Sequence, residues 1–197
     1  MKEADQKNNI GEVWHTDHSY DQIPALGSIL VARELPKTGG DTLFISMFAA
    51  YDALSDDMKL KLERLTAVHS SRHVFGKAAY SSVKSDELLG RLGNTEAATQ
   101  DAIHPLVIEH PFSGSKALYV NPEFTVRINE LPESEGNALL EELYTHCQQD
   151  AFTHRFQWEE GTVVFWDNRA SWHKALNDYH GERRYMHRIT IEGVPLI

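Results

Sequence analysis

Apolar residues in this chain come in short β-rich runs, each closed by glycine, proline or asparagine, and this pattern constrains the fold more than any other feature. Ser28-Ile29-Leu30-Val31-Ala32 precedes the turn-like Pro36-Lys37-Thr38-Gly39-Gly40. Leu106-Val107-Ile108, Ala117-Leu118-Tyr119-Val120 and Thr162-Val163-Val164-Phe165-Trp166 are bounded in the same way, and a longer run from Arg184 to Ile191 stops before Gly193. Runs of this length and residue type predict strands. Helical signals are fewer. Ser55 has the chemistry of an N-cap, with Asp56 and Asp57 in a first turn and Met58, Leu62 and Leu65 at helical spacing. A second helix is expected from Glu133 to Gln148, with Leu139, Leu140 and Leu143 inward. The polar segment 81–101 reads as a long loop or lid. Many strands and two helices predict a mainly β chain, a β-sandwich or jelly roll with helices packed outside.

The length of 197 residues suits one domain, and a hydrophobic fraction of 41% supports a core. No apolar run approaches the ~20 residues that span a bilayer, so no membrane partner is expected. The N-terminus is polar and lacks the apolar stretch of a secretory signal. A single cysteine, Cys147, cannot form an internal disulfide, which points to a reducing, cytoplasmic location. A formal net charge of −10 argues against a nucleic-acid partner. It leaves room for a small anionic partner, because two local arginines can make a basic pocket in an acidic protein.

Two such arginines are present, alongside a candidate metal motif. Trp14-His15-Thr16-Asp17 places His15 and Asp17 two residues apart, on one face of an extended segment. His173, which follows the apolar run ending at Phe165-Trp166-Asp167-Asn168-Arg169, is the best candidate for a third ligand. Two histidines and a carboxylate are the ligand set of non-haem Fe(II) oxygenases. The isolated H-x-D motif fits a surface turn more often than a metal site. Arg184 and Arg188 share one face of the last strand, about 13 Å apart at ~3.3 Å per residue. If that face points inward, each guanidinium needs an anion. Ile189 and Ile191 favour the opposite face, so the pattern alone slightly favours solvated arginines.

Taken together, Trp14-His15-Thr16-Asp17, Leu35-Pro36-Lys37-Thr38-Gly39-Gly40-Asp41-Thr42, Phe165-Trp166-Asp167-Asn168-Arg169 with His173, and Arg183-Arg184-Tyr185-Met186-His187-Arg188 give the chain a resemblance to a known family. It resembles the taurine dioxygenase and 2,4-dichlorophenoxyacetate dioxygenase family of Fe(II)- and 2-oxoglutarate-dependent oxygenases, from about Gly11 to Gly193. The resemblance implies a double-stranded β-helix, a jelly-roll barrel with iron held by His15, Asp17 and His173. It implies that Thr42 and Arg184 hold the distal carboxylate of 2-oxoglutarate and that Arg188 faces a small anionic organic substrate. Phe75 and Phe124 would be aromatic walls of the substrate pocket, with His18 beside it. The implied reaction hydroxylates a sulfonate, sulfate ester or carboxylate with O₂, releasing succinate and CO₂. Relative to the family, the chain reads as one catalytic jelly-roll domain over residues 1–197 that lacks an N-terminal portion. Gly11 stands where the taurine enzyme has an asparagine contacting the substrate amine, which points away from taurine. Family members are often oligomeric, so a homo-oligomer is an expectation.

Two other readings compete. One is a different metal-dependent jelly-roll enzyme, such as a cupin-type isomerase or a zinc hydrolase. Thr42 and Arg184 at family spacing speak against it. The other is an inactive fragment that binds metal and anions. Among the remaining residues, His69 and His73 read as surface or lid residues and His187 as packing. Trp14, Trp158, Trp166 and Trp172 read as core, and Asp167 and Asn168 as turn residues aiming the loop that carries His173.

Overall fold

The computed structural model describes residues 2–5, 10–76 and 99–196. Its strands are β1 (Gly27–Glu34), β2 (Thr42–Ser46), β3 (Thr66–Ser70), β4 (Asp101–Pro105), β5 (Val107–Glu109), β6 (Lys116–Leu118), β7 (Thr125–Ile128), β8 (Thr153–Phe156), β9 (Val163–Asp167), β10 (Ser171–Ala175) and β11 (Tyr185–Ile191). Helices are α1 (Met47–Asp52), α2 (Asp56–Leu62), α3 (Arg72–Phe75) and α4 (Glu133–Cys147). Most of the expected loop at 81–101 lies outside the described residues, and its last residue, Asp101, opens β4. No helix among the described residues is long and apolar enough to cross a membrane.

Local chemistry explains the elements that the sequence announces. Ser55 caps α2 by accepting from the Met58 N–H at 3.3 Å, and Asp56 and Asp57 occupy its first turn. Helix α2 stops at Leu62, so Leu65 lies beyond it, although it is still buried. Gly39 and Gly40 adopt φ of +79° and +74°. The Gly40 N–H donates to Asp178 Oδ1 at 2.7 Å, and a Cβ on Gly39 would come within 2.5 Å of the same carboxylate oxygen.

Two antiparallel sheets, ordered β11-β1-β9 and β10-β2-β8, form the barrel. Successive strands cross from one sheet to the other: β1 and β2, β8 and β9, then β10 and β11 each lie in different sheets. That alternation is the jelly-roll pattern. Rings of Phe44 on β2 and Trp166 on β9 meet across the gap, with centroids 5.6 Å apart.

The main apolar core lies behind the second sheet rather than inside the barrel. Trp172 and Ile45 are cross-strand partners on β10 and β2, and both are essentially unexposed. They pack with Met47, Leu118, Leu140 and Leu143 under α1 and α4. Leu143→Ala there is worth about 2–5 kcal/mol. The next cross-strand pair, His173 with Phe44, has its side chains on the opposite face by alternation. The two faces of one sheet thus divide stability from chemistry.

Three expectations are corrected by packing. His69 is not at the surface or in a lid: it sits on β3, fully buried, with its ring against those of His104 and Tyr119. His187 is exposed and bonded to the Tyr185 hydroxyl, because its face of β11 points outward. Trp158 is only half-buried, outside the core.

Burial and the neighbouring His104 push His69 down to about 3, and burial also lowers His104. The unfolded chain takes up these protons near pH 6.5 while the folded chain resists them. Stability is therefore retained above pH 6.5 and falls as pH drops below it, by about 1.4 kcal/mol per pH unit from His69, with a contribution of the same sign from His104. Urea unfolding between pH 7 and 5 should show this slope, and His69→Gln should flatten it even while lowering stability at pH 7.

Candidate metal centre

His15 and His173 come from opposite ends of the chain, and a single antiparallel bridge joins them. The His15 N–H donates to the His173 carbonyl at 3.2 Å, and the His173 N–H returns a bond to the His15 carbonyl at 2.8 Å. Asp17 follows two residues later on the same face. The Thr16 hydroxyl, which points the other way, donates to the Asn168 carbonyl and ties this segment to the turn before β10. One ligand atom from each of His15, Asp17 and His173 lies within 4.8 Å of the others, and all three residues are buried.

Hydrogen bonding leaves this donor set ready for a cation. His15 Nδ1 donates to the Val13 carbonyl at 2.7 Å, so Nδ1 carries a proton and Nε2 is the ring nitrogen turned to the cluster. That Nε2 lies 3.7 Å from Asp17 Oδ1, and His173 Nε2 lies 3.7 Å from Asp17 Oδ2. Both gaps exceed a hydrogen bond. Burial opposes ionisation of Asp17. Nevertheless, His173, Arg188, His15 and the Ser28 hydroxyl hold its carboxyl well below the usual range. Burial, aided by His15, pushes His173 down to about 3, which keeps its imidazole neutral. A carboxylate beside a neutral imidazole suits a divalent metal.

Ser28 on β1 donates to Asp17 Oδ2 at 2.8 Å, and Arg188 on β11 donates to Oδ1 at 3.1 Å. The arginine face of β11 therefore points into the barrel, and Ile189, 60% exposed, points out. Arg184 is buried just before β11, and its Nε and Nη2 have no hydrogen-bond partner. Burial lowers its affinity for its proton. A buried guanidinium with open donors fits a carboxylate. Thr42 lies on the chamber face of β2, where Trp158 Nε1 donates to its hydroxyl oxygen at 3.0 Å.

On the other side of the metal cluster, Phe124 stands edge-on to His15. Phe75, Phe124 and Tyr20 form a mutual ring cluster, with centroids 4.9–6.0 Å apart. His18 faces Tyr20, bonds to Asp21 at 2.9 Å and has a left-handed φ of 60°. An apolar cavity of about 430 Å³ opens beside Phe44, Phe156 and Trp166.

Sequence reasoning missed Ser28, Tyr20, Glu123 and Trp158. Glu123 Oε2 lies 3.2 Å from His15 Nδ1, although its burial favours the protonated carboxyl. Its loop hangs on Asn121, which accepts from the Phe124 N–H at 2.8 Å and donates to Ser19. Nothing in the run Asn121-Pro122-Glu123 marks it as more than a turn. Tyr20 alone had a signal, as an aromatic three residues past Asp17.

The chain matches known proteins over nearly its whole length. A family model described as "Taurine catabolism dioxygenase TauD, TfdA family" matches residues 1–190. The chain belongs to this family. A Schizosaccharomyces pombe relative, whose name includes alpha-ketoglutarate-dependent sulfonate dioxygenase, is 37% identical over 95% of the chain and 46% of its own length. The alkylsulfatase of Acinetobacter baylyi is 36% identical over 95% of the chain and 59% of its own length. A crystal structure of AAD-2 in complex with Mn(II) and N-oxalylglycine superposes with a TM-score of 0.79 at 32% identity, covering 95% of this chain and 66% of that one. The chain thus spans about half to two thirds of the proteins it matches.

His15→Ala and Asp17→Ala should each abolish tight Co(II) binding, followed by calorimetry. Neither residue belongs to the core behind the second sheet, so the metal-free unfolding midpoint should move little. A collapse of the midpoint in both variants would mark the residues as structural.

Proposed function

We propose that the chain is a catalytic jelly-roll domain that uses Fe(II), 2-oxoglutarate and O₂ to hydroxylate a small anionic organic substrate. The observation that carries this reading is the buried His15, Asp17 and His173 cluster beside an Arg184 whose donors lack partners, in a chain of this family. Relatives named for sulfonate, alkyl sulfate, sulfate ester and 2,4-dichlorophenoxyacetate chemistry support the anionic substrate class. When bound, iron and 2-oxoglutarate supply the oxidising power: one oxygen atom of O₂ ends in succinate as CO₂ leaves, and the other enters the substrate.

The protein's own task is positioning. His15, Asp17 and His173 would hold the metal on one face. Ser28 and Arg188 restrain the Asp17 carboxylate and so fix which lone pairs it offers. Arg184 and Thr42 would bind the distal carboxylate of 2-oxoglutarate. Arg188, partly open at 44% side-chain exposure, can extend its remaining donors to a substrate anion while still touching Asp17. Tyr20, Phe75 and Phe124 would exclude water and pack the substrate's apolar body so that one C–H faces the metal. Binding without turnover is the alternative, and succinate formation separates the two.

Under oxygen-free conditions, Fe(II) plus 2-oxoglutarate should give a weak visible absorption band, absent with Fe(II) alone. Iron binding without that band would sink the co-substrate assignment. Arg184→Gln should weaken 2-oxoglutarate binding by about 2–5 kcal/mol. Arg188→Gln should leave it nearly intact but uncouple succinate formation from oxidation of an alkyl sulfate or 2,4-dichlorophenoxyacetate probe. Equal damage to 2-oxoglutarate binding by both would refute this division of labour.

A further inference from the structure

We propose that Trp158 is a positioning residue for the distal carboxylate of 2-oxoglutarate, fixing the Thr42 hydroxyl as a donor and holding the Arg184 guanidinium in place. This rests on the co-substrate reading above and extends it to a residue outside the core and the metal cluster.

Trp158 lies between β8 and β9, half-buried and edge-on to the Phe156 ring, with two further contacts that bear on the chamber. Its indole N–H, which can only donate, meets Thr42 Oγ1 at 3.0 Å. A threonine hydroxyl has one proton and two lone pairs, so this bond consumes acceptor capacity and leaves the proton to be donated elsewhere. Thr42 is buried, and its cross-strand partners, Phe156 and Ala175, have no side-chain acceptor. The hydroxyl proton is thereby directed to whatever acceptor enters the chamber.

The second contact is with Arg184, whose Cζ lies over the Trp158 ring at 5.8 Å from its centroid, within cation–π range. A ring attracts a guanidinium without consuming any N–H donor. This agrees with Nε and Nη2 of Arg184 lacking partners although buried. One indole thus orients a hydroxyl donor and steadies a charged fork, leaving both available to the two oxygens of one carboxylate.

Two variants separate the contacts. Trp158→Phe keeps a ring near Arg184 but removes the N–H, and Trp158→Leu removes both. Binding to the Mn(II)-loaded protein is followed by calorimetry with 2-oxoglutarate and with pyruvate, a 2-oxoacid that has no distal carboxylate. Trp158→Phe should weaken 2-oxoglutarate about 3- to 10-fold, the usual effect of one lost hydrogen bond, and Trp158→Leu should weaken it further. Pyruvate affinity should be unchanged in both, a result that a general loss of structure would not give. In a Thr42→Val background, Trp158→Phe should have no further effect, because its hydrogen-bonding partner is already gone. Unchanged 2-oxoglutarate binding in Trp158→Phe, equal weakening of pyruvate, or a persisting effect in the Thr42→Val background would each overturn the proposal while leaving the co-substrate reading intact. If the unaltered protein binds pyruvate but gains nothing from the distal carboxylate of 2-oxoglutarate, both fall.

Discussion

Two reciprocal backbone hydrogen bonds between His15 and His173 are the constraint on which the rest of the chamber depends. They close the longest separation among the three metal-cluster residues using main-chain atoms alone, so the spacing of the two backbones that carry the imidazoles does not rely on flexible side chains. Once that bridge is made, strand alternation places Asp17 beside them, and Ser28 and Arg188 reach its carboxylate from the facing sheet. The chemistry of the centre is thus set by registry, a property of the sheet and not of any one side chain. The Thr16 bond to Asn168 reinforces the same registry from the other face of the segment.

Electrostatics follows from this enclosure. Asp17 stays ionised although buried, because the Arg188 guanidinium, two imidazoles and a hydroxyl surround it. His173 stays neutral because burial and the adjacent imidazole outweigh Asp17. Arg184 is left as a buried charge with open donors, which is costly in a folded chain unless an anion compensates it. The chamber is therefore not neutral scaffolding. It stores unsatisfied valence where ligands are expected.

The barrel was legible in the sequence where strands carried apolar runs, as at β1, β9 and β11. It was illegible where a strand alternates between two environments. Strand β10 reads Ser-Trp-His-Lys-Ala, with one face in the core and the other in the chamber, and no apolar run announces it. The arginine face of β11 misled for a related reason: Ile189 suggested burial, but the outer face of that sheet is uncovered among the described residues. Three metal-site candidates could be picked out because their residue types and spacing match a known donor set. Glu123, Ser28 and Trp158 could not, because what matters about them is a contact made across the fold, and a single sequence does not record contacts. His69 shows the opposite error, since a histidine beside serines and an arginine looks exposed until its ring is found between His104 and Tyr119.

Placing the apolar core behind the second sheet has an evolutionary consequence. Leu143, Trp172 and Ile45 carry packing, whereas Tyr20, Phe44 and Phe75 are only partly buried on the chamber side. A lineage can therefore exchange chamber residues, and with them the compounds it accepts, without having to solve the folding problem again. Relatives about a third identical to this chain over the aligned stretch, yet bearing names drawn from different substrates, are what such a separation permits.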